Sequence, residues 1–323
     1  MSGLPDEMLD CLIVGGGPAG LTAAIYLSRF HRRVAVVDKG EGRLAMIPRT
    51  MNHAGYPGGV RGCDLLAAMR AQAVEFGAAL LDGEVAGLSG TEDAFEAETD
   101  LGPIRARTVL LATGVVNLRP PLDAETHAAA VAAGKLRYCP ICDAFEQTGK
   151  RIGILGADSH GVAEALFLRS YSDDLVMLTL QQAELDAGDR ANIGRAGIEV
   201  VRTPVSGFDF EGEGVRVLLA DGESVAADTL YAALGSETRN QLGEMLGTRL
   251  DGSACFWTDE RMRTSVKGVY AAGDAIEGLD QISMAMGTAA QAAVTIHNDL
   301  RDRDGATDEG QAAGDAAWEE APD

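Results

Sequence analysis

Short apolar runs alternate with helically spaced apolar residues near the start of the chain. Residues 10–15 form a run that ends in glycine, which is typical of a buried parallel strand. Apolar residues then recur at helical spacing over 21–30, and residues 34–38 form a second buried run. This pattern predicts a strand–helix–strand unit of about 30 residues.

The same pattern recurs further along the chain. Residues 152–155 are apolar, Gly156 opens a turn, residues 162–168 have helical spacing and residues 175–180 form the next strand. Other elements are predicted outside these units: short strands at 109–112 and 268–272, and a helix from about 283 to 300. Two copies of one unit predict an α/β fold with two Rossmann-like dinucleotide-binding domains.

Charge and hydropathy narrow the classes of function. The chain has 323 residues and a formal net charge of −22, which argues against a nucleic-acid-binding protein. No apolar run approaches the roughly 20 residues of a membrane helix, and the N-terminus lacks a signal peptide, so we expect a cytoplasmic protein without membrane association. Residues 302–323 are acidic and poor in apolar residues, which predicts a disordered tail.

The first glycine-rich turn has the residues that a dinucleotide site requires. Gly15-x-Gly17-x-x-Gly20 follows the first strand, where glycines let the backbone approach a pyrophosphate and the helix N-terminus supplies amide donors. Asp38 ends the second strand, in place to accept hydrogen bonds from a ribose. The alternative is a tight turn that binds no phosphate, and the glycines alone do not distinguish FAD from NAD.

Cys139 and Cys142 are the closely spaced pair among five cysteines. No second cysteine pair or histidine cluster accompanies them, so we expect no metal site. Two cysteines three positions apart at a helix start can close a small disulfide, and a helix N-terminus lowers a thiol pKa. Asp143 follows directly and could shuttle a proton. Taken alone, the pair leaves open a redox site, a structural disulfide or two unrelated buried thiols.

The order and spacing of these motifs resemble the low-molecular-weight thioredoxin reductases over residues 9–301. The matching segments are Gly15 to Gly20, Asn52 with Gly55-Tyr56, Thr113-Gly114, Cys139 to Asp143, Gly268 to Asp274, and Gln281 with the helix from Ala285. The resemblance implies a homodimeric flavoprotein in which an NAD(P)-like domain is inserted into a discontinuous FAD domain. The expected boundaries are 1–118 and 239–301 for the FAD domain and 119–238 for the inserted domain.

The resemblance also implies roles for individual residues. Cys142 would face the flavin, Cys139 would attack the disulfide of the partner, and Asp143 would be the acid/base. The residues expected to contact FAD lie in the matching motifs or beside them: Gly15, Gly17, Pro18, Ala19, Gly20, Asp38, Lys39, Arg43, Leu44, Asn52, Val85, Thr113, Gly114, Gly273, Asp274, Gln281 and Ile282.

Some positions depart from the family pattern. Asp158 stands where the second glycine of the second nucleotide turn is expected, which adds bulk and negative charge at the pyrophosphate position. Residues 181–185 contain no arginine, although members that use NADPH carry an arginine cluster there. These departures indicate a divergent branch whose second nucleotide fold is kept as a scaffold, with weak or unusual NAD(P)H binding as the alternative. Arg43 replaces a glutamine and lies either near the flavin ring or at the surface.

Three functions follow from this combination. The first is a thioredoxin reductase-like enzyme that moves electrons between FAD, the Cys139/Cys142 pair and a thioredoxin-like protein or small dithiol. The second is an FAD-dependent dithiol oxidase with oxygen as acceptor, and the third is a flavin-binding redox sensor without turnover. Ferredoxin or oxygen is the expected redox partner if NADPH is not used.

Overall fold

The computed structural model describes residues 7–181 and 185–305. Its helices and strands follow in the order β1 (Leu9–Val14), α1 (Pro18–Arg29), β2 (Val34–Asp38), α2 (Gly62–Glu75), β3 (Ala79–Asp82), β4 (Val85–Ser89), β5 (Phe95–Thr99), β6 (Ile104–Leu111), β7 (Val115–Asn117), α3 (Ala124–Ala132), β8 (Leu136–Arg137), α4 (Pro140–Asp143), β9 (Ile152–Leu155), α5 (Ser159–Leu168), β10 (Leu175–Leu178), α6 (Ala187–Ala196), β11 (Glu199–Val200), β12 (Val205–Asp209), β13 (Val215–Leu219), β14 (Ser224–Ala227), β15 (Thr229–Ala232), β16 (Ser236–Thr238), α7 (Gln241–Met245), β17 (Val269–Ala271) and α8 (Ile282–Arg303).

The chain divides into two units. The first unit consists of the described parts of Met1–Ala45, Cys63–Val116 and Thr238–Asp323, and the second of Met46–Gly62 and Asn117–Glu237. Sequence analysis assigns 46–62 to the first domain, whereas in the structure these residues group with the second unit.

A sheet with the strand order β3-β2-β1-β6-β5-β4 forms the centre of the first unit, and β17 pairs with β6. The strands β3, β2, β1, β6 and β17 are parallel, while β4 and β5 are antiparallel. Every residue of β1 is buried, as expected for a parallel strand covered on both faces. Helix α8 packs against α1 and buries small residues such as Ala289 and Ala293, which lets the helices approach closely.

The second unit contains a parallel sheet with the order β11-β10-β9-β15-β8 and an antiparallel meander β12-β13-β14. Alternate residues of the parallel strands enter two separate cores, as the two-residue period of a strand requires. Leu230 and Ala232 belong to the core that the meander completes. Tyr231 and Ala233 belong to the core formed with α5 and α6.

The predicted α/β fold with parallel Rossmann-like sheets is confirmed, and so are both strand–helix–strand units. The last helix continues to Arg303, so residues 302 and 303 are helical rather than part of the predicted disordered tail. Residues 306–323 lie outside the described residues. No helix among the described residues is long and apolar enough to cross a membrane.

Candidate active site

Two glycines force the turn between β1 and α1 to be tight. Gly15 has a φ of +105°, and a Cβ on it would lie 2.3 Å from the carbonyl oxygen of Ala112. A Cβ on Gly20 would lie 1.9 Å from the carbonyl oxygen of Gly15. Neither position accepts a side chain, so the backbone of α1 stays in contact with the end of the strand.

Gly17 serves a different purpose in the same turn. It is the N-cap of α1, its φ is −79°, and, apart from Gly17 itself and its two neighbours in the chain, no described atom lies within 4 Å of a Cβ built on it. The fold therefore has room for a side chain at Gly17 and carries none. The first amides of α1 have no partner within the helix, which suits the pyrophosphate of FAD.

The other predicted FAD motifs lie around this turn. A Cβ on Gly16 would lie 2.6 Å from Oδ2 of Asp38, and a Cβ on Gly15 would lie 3.4 Å from the amide nitrogen of Thr113. A Cβ on Gly273 would lie 2.8 Å from Cβ of Ala19. These residues meet because the parallel strands β2, β1, β6 and β17 end at the same edge of the sheet.

Arg43 is tied to the Gly273-Asp274 turn. Its guanidinium forms an ion pair with Asp274, and its Nη2 donates to Oδ2 of Asp280 at 2.8 Å. Burial raises the pKa of the Asp274 carboxyl, and the charge of Arg43 opposes this rise. Arg43 therefore brings a positive charge to a turn predicted to bind FAD.

The first unit also contains the remaining residues predicted to contact FAD, apart from Asn52. Leu44 and Val85 are buried, and Lys39 forms ion pairs with Glu41 and Glu84. Ile282 is the first residue of α8, and Gln281 is its N-cap. Pro18 is the first residue of α1, and Gly114, which follows the end of β6, has a φ of +63°.

Asn52 lies in the second unit, near the cysteine pair. Its Nδ2 donates to the carbonyl oxygen of Ile141, the residue between Pro140 and Cys142, at 3.4 Å. Asn52 thus belongs to the unit that carries the cysteine pair, whereas the other residues predicted to contact FAD belong to the first unit.

Cys139 and Cys142 form a disulfide, with 5.3 Å between their Cα atoms. Cys139 is the N-cap of α4, which has only four residues, and the amide of Cys142 donates to the carbonyl oxygen of Cys139. The side chains of Ile141 and Phe145 beside the disulfide are 47% and 77% exposed. The disulfide therefore lies in a short surface segment that presents apolar side chains.

Both carboxylate oxygens of Asp143 accept hydrogen bonds from residues that sequence analysis did not identify. Nη1 of Arg137 donates to Oδ2, and the hydroxyl of Tyr231 donates to Oδ1 at 2.6 Å. Burial and the neighbouring Asp143 charge raise the pKa of Tyr231 far above its usual value, so the phenol stays protonated. Arg137 could have been found from its proximity to the cysteines in the sequence. Tyr231 gave no such signal, because it is 88 residues away from Asp143.

The second glycine turn keeps the tight backbone of the first. Gly156 has a φ of +149°, and a Cβ on Gly161 would lie 2.3 Å from the carbonyl oxygen of Gly156. Asp158 is the N-cap of α5, and its Oδ1 accepts from the amide of Gly161 at 2.9 Å. A carboxylate of the protein thus occupies the helix end that would otherwise bind a phosphate.

More acidic groups surround this second turn. The hydroxyl of Ser159 donates to Oδ2 of Asp189 at 3.0 Å, and Asp186 caps α6. His160 forms a pair with Glu164 at 3.2 Å, and the hydrogen bond to Glu164 raises the pKa of His160. Residues 182–184, which belong to the segment 181–185 that contains no arginine, lie outside the described residues. The described side chains leave this turn with more negative than positive charge.

Comparison with known proteins identifies the family. The family model for pyridine nucleotide-disulphide oxidoreductases matches residues 9–289. The chain belongs to this family. Within the family it groups with the thioredoxin reductases of low molecular weight, and it is an FAD-dependent disulfide oxidoreductase.

Individual proteins and solved structures are similar to this chain. A thioredoxin reductase from Aquifex aeolicus is 27% identical over 291 residues, which cover 84% of this chain and 87% of the relative. The chain in a crystal structure of HlmI is 28% identical in sequence to this chain, with a TM-score of 0.85. The match covers 94% of this chain and 96% of the HlmI chain. The thioredoxin reductase structure from Streptococcus pyogenes, at 24% identity and a TM-score of 0.82, shares the fold over 92% of this chain and 100% of its own.

Residues 7–181 and 185–305 contain no group of three or more His, Cys, Asp or Glu side chains arranged to hold a metal ion.

Proposed function

We propose that this oxidoreductase moves electrons between FAD, the Cys139/Cys142 pair and a thioredoxin-like protein or a small dithiol. The observation that carries the proposal is the disulfide itself, whose half-buried cysteines lie at a one-turn helix that ends in Asp143, directly after Cys142. Apolar side chains beside the disulfide give a partner protein or small molecule a surface to contact. The thioredoxin reductase relatives favour thioredoxin as the partner.

The two cysteines have separate tasks in this proposal. In the reducing direction the Cys139 thiolate attacks the disulfide of the substrate, which breaks that bond and leaves a mixed disulfide. The Cys142 thiolate then attacks the Cys139 sulfur and releases the substrate dithiol, so two electrons leave the pair. Asp143 supplies or accepts the proton at the pair, and the oxidising direction reverses each step. FAD, when bound, supplies or accepts the two electrons.

FAD fits the first glycine turn in this proposal. Gly17 leaves space above the amides of α1, and the turn is surrounded by Asp38, Thr113 and Asp274 at the ends of parallel strands. We further propose a discontinuous FAD domain with an inserted NAD(P)-like domain, with boundaries near residues 118 and 238, a homodimeric assembly and a cytoplasmic location.

The second nucleotide fold is proposed to serve as a scaffold that does not bind NADPH. The support is the hydrogen bond from Gly161 to Asp158, which places a carboxylate at the pyrophosphate position. Electrons would then enter from ferredoxin or leave to oxygen. The same observation favours a second candidate, an FAD-dependent dithiol oxidase that uses oxygen.

Replacement of the cysteines tests the first part of the proposal. Cys139→Ser and Cys142→Ser should each abolish disulfide exchange and leave FAD bound. Cys63→Ser is the matched control, since Cys63 is a free thiol of the first unit, and it should keep full activity. Disulfide exchange at the original rate in both pair variants would refute the proposal.

An anaerobic titration tests the electron donor. Addition of NADPH and then NADH should leave the flavin absorbance unchanged, whereas a dithiol should bleach it. Subsequent admission of air distinguishes the two candidates, because hydrogen peroxide in proportion to the dithiol supports the oxidase. Rapid bleaching by NADPH would contradict the scaffold role of the second nucleotide fold.

A further inference from the structure

We propose that Arg137 and Tyr231 are positioning residues that hold the Asp143 carboxylate for proton transfer at the cysteine pair. The inference rests on the acid/base role proposed for Asp143. It assigns a purpose to two residues that do not belong to the cysteine motif.

The sheet of the second unit places the two donors side by side. Strands β8 and β15 are parallel neighbours, and Arg137 is directly opposite Tyr231 in their register. Because residues in register on neighbouring strands point to the same face, both side chains reach the same carboxylate. Arg137 is also held by Thr229, whose Oγ1 accepts from its Nε at 3.1 Å.

The carboxylate needs such support because its own backbone is short and irregular. Asp143 ends the four-residue helix α4 and begins a 3-10 turn over Ala144–Gln147. A side chain on a segment of this kind has little local structure to fix its rotamer. The ring of Tyr231, by contrast, is fully buried in the core with α5 and α6, so its hydroxyl is a fixed point.

The hydrogen bonds from Arg137 and Tyr231 also occupy the two oxygens to which a proton on Asp143 would bind. A carboxylate accepts from Arg137 and Tyr231 with one oxygen each, and protonation of either oxygen disturbs one of these bonds. The geometry therefore holds both oxygens of Asp143 as acceptors at fixed positions beside the cysteine pair. The charged groups that act on Tyr231 are Asp143, Arg137 and Glu146, and Glu146 opposes ionisation of the phenol. The phenol thus remains a donor throughout the working pH range.

The test measures the pH dependence of alkylation of the reduced cysteine pair by iodoacetamide, together with the rate of disulfide exchange. Tyr231→Phe keeps the buried ring and removes the hydroxyl, and Arg137→Gln removes the charge. Both should change the pH profile relative to that of the original protein, and both should slow disulfide exchange at pH 7 by about tenfold. Arg137→Lys should restore part of the effect.

Two controls separate the possible outcomes. Tyr171→Phe removes a hydroxyl from a ring in the same unit that packs on Phe167, and it should leave the profile unchanged. Asp143→Asn should change the profile more than either donor variant does, and an unchanged profile in that variant would refute the acid/base role itself. If Asp143→Asn alters the profile but folded Tyr231→Phe and Arg137→Gln behave as the original protein, the positioning role is overturned.

Discussion

The two glycine turns of this protein share a tight backbone between two outer glycines, and they differ at the middle position of the glycine motif, Gly17 in one and Asp158 in the other. Both follow a buried parallel strand, and in both a Cβ on the last glycine would collide with the carbonyl oxygen of the first. Gly17 is the N-cap of the helix that follows the first turn, and Asp158 is the N-cap of the helix that follows the second. The outer glycines therefore make the turn, and the middle position decides whether the helix end is available to an anion.

The difference also has an energetic side. An Asp N-cap stabilises a helix by about 1 kcal/mol relative to Ala, because it satisfies an amide that otherwise has no partner in the helix. α5 has this stabilisation from Asp158. α1 has no side-chain cap at Gly17, so its first amides remain available to a ligand. A bound phosphate would supply the missing hydrogen bonds.

Exchange of the middle residue in the first turn should have the largest effect. Gly17→Asp fits the space and the backbone of an N-cap, so the variant should fold, with a carboxylate where the FAD pyrophosphate is expected. Like-charge repulsion should weaken FAD binding at least about 100-fold, measured by flavin fluorescence titration of the apoprotein. Gly17→Ser, an uncharged cap, should weaken binding less. Equal FAD affinity in Gly17→Asp and the original protein would refute the proposed cradle.

The reciprocal change in the second turn should be smaller and should affect stability. Asp158→Ala should lower the free energy of unfolding of the second unit by about 1 kcal/mol, measured by urea denaturation, and should leave FAD affinity unchanged. Asp123→Ala removes the same kind of cap from α3 and is the matched control for stability alone. An unchanged stability in Asp158→Ala would mean that the cap contributes nothing to α5.

The pair of His160 with Glu164 should give the smallest effect, and it depends on pH. The pKa of His160 is raised in the folded protein, so the pair stabilises below the unfolded value of about 6.5 and the stabilisation is lost as the pH rises through the folded pKa. His160→Ala should cost about 0.3 kcal/mol at pH 5.5 and nothing at pH 8, since half of the side chain is exposed. Glu164→Gln should reproduce the difference, and a cost that is equal at both pH values would contradict it.

The sequence predicts much of this comparison but not all of it. Both strand–helix–strand units are readable from apolar runs and glycines, because parallel strands are buried on both faces. α5 begins at Ser159 rather than at the predicted residue 162. The reason is the cap at Asp158, which sequence analysis treated only as an obstacle to pyrophosphate. The preference of N-caps for Asp was the signal that would have corrected the start.

The surroundings of the cysteine pair could not be predicted in the same way. The pair and Asp143 are adjacent in sequence, so spacing was enough to identify them. Arg137 and Tyr231 come together only because β15 pairs with β8, and no local pattern specifies which strands become neighbours. The hydrogen bond between Asn52 and Ile141 likewise joins residues 89 positions apart.

The position of β8 at the end of its sheet has a consequence for hydrogen exchange. β8 has two residues and one neighbouring strand, whereas β15 lies between β9 and β8. Edge segments open at lower free energy than the centre of a sheet, so the amide of Arg137 should exchange faster than that of Tyr231. Each such opening would move Arg137 away from the Asp143 carboxylate, which would then keep only the hydrogen bond from Tyr231 of these two. An edge strand of the sheet therefore governs how often the acid beside the disulfide loses its cation.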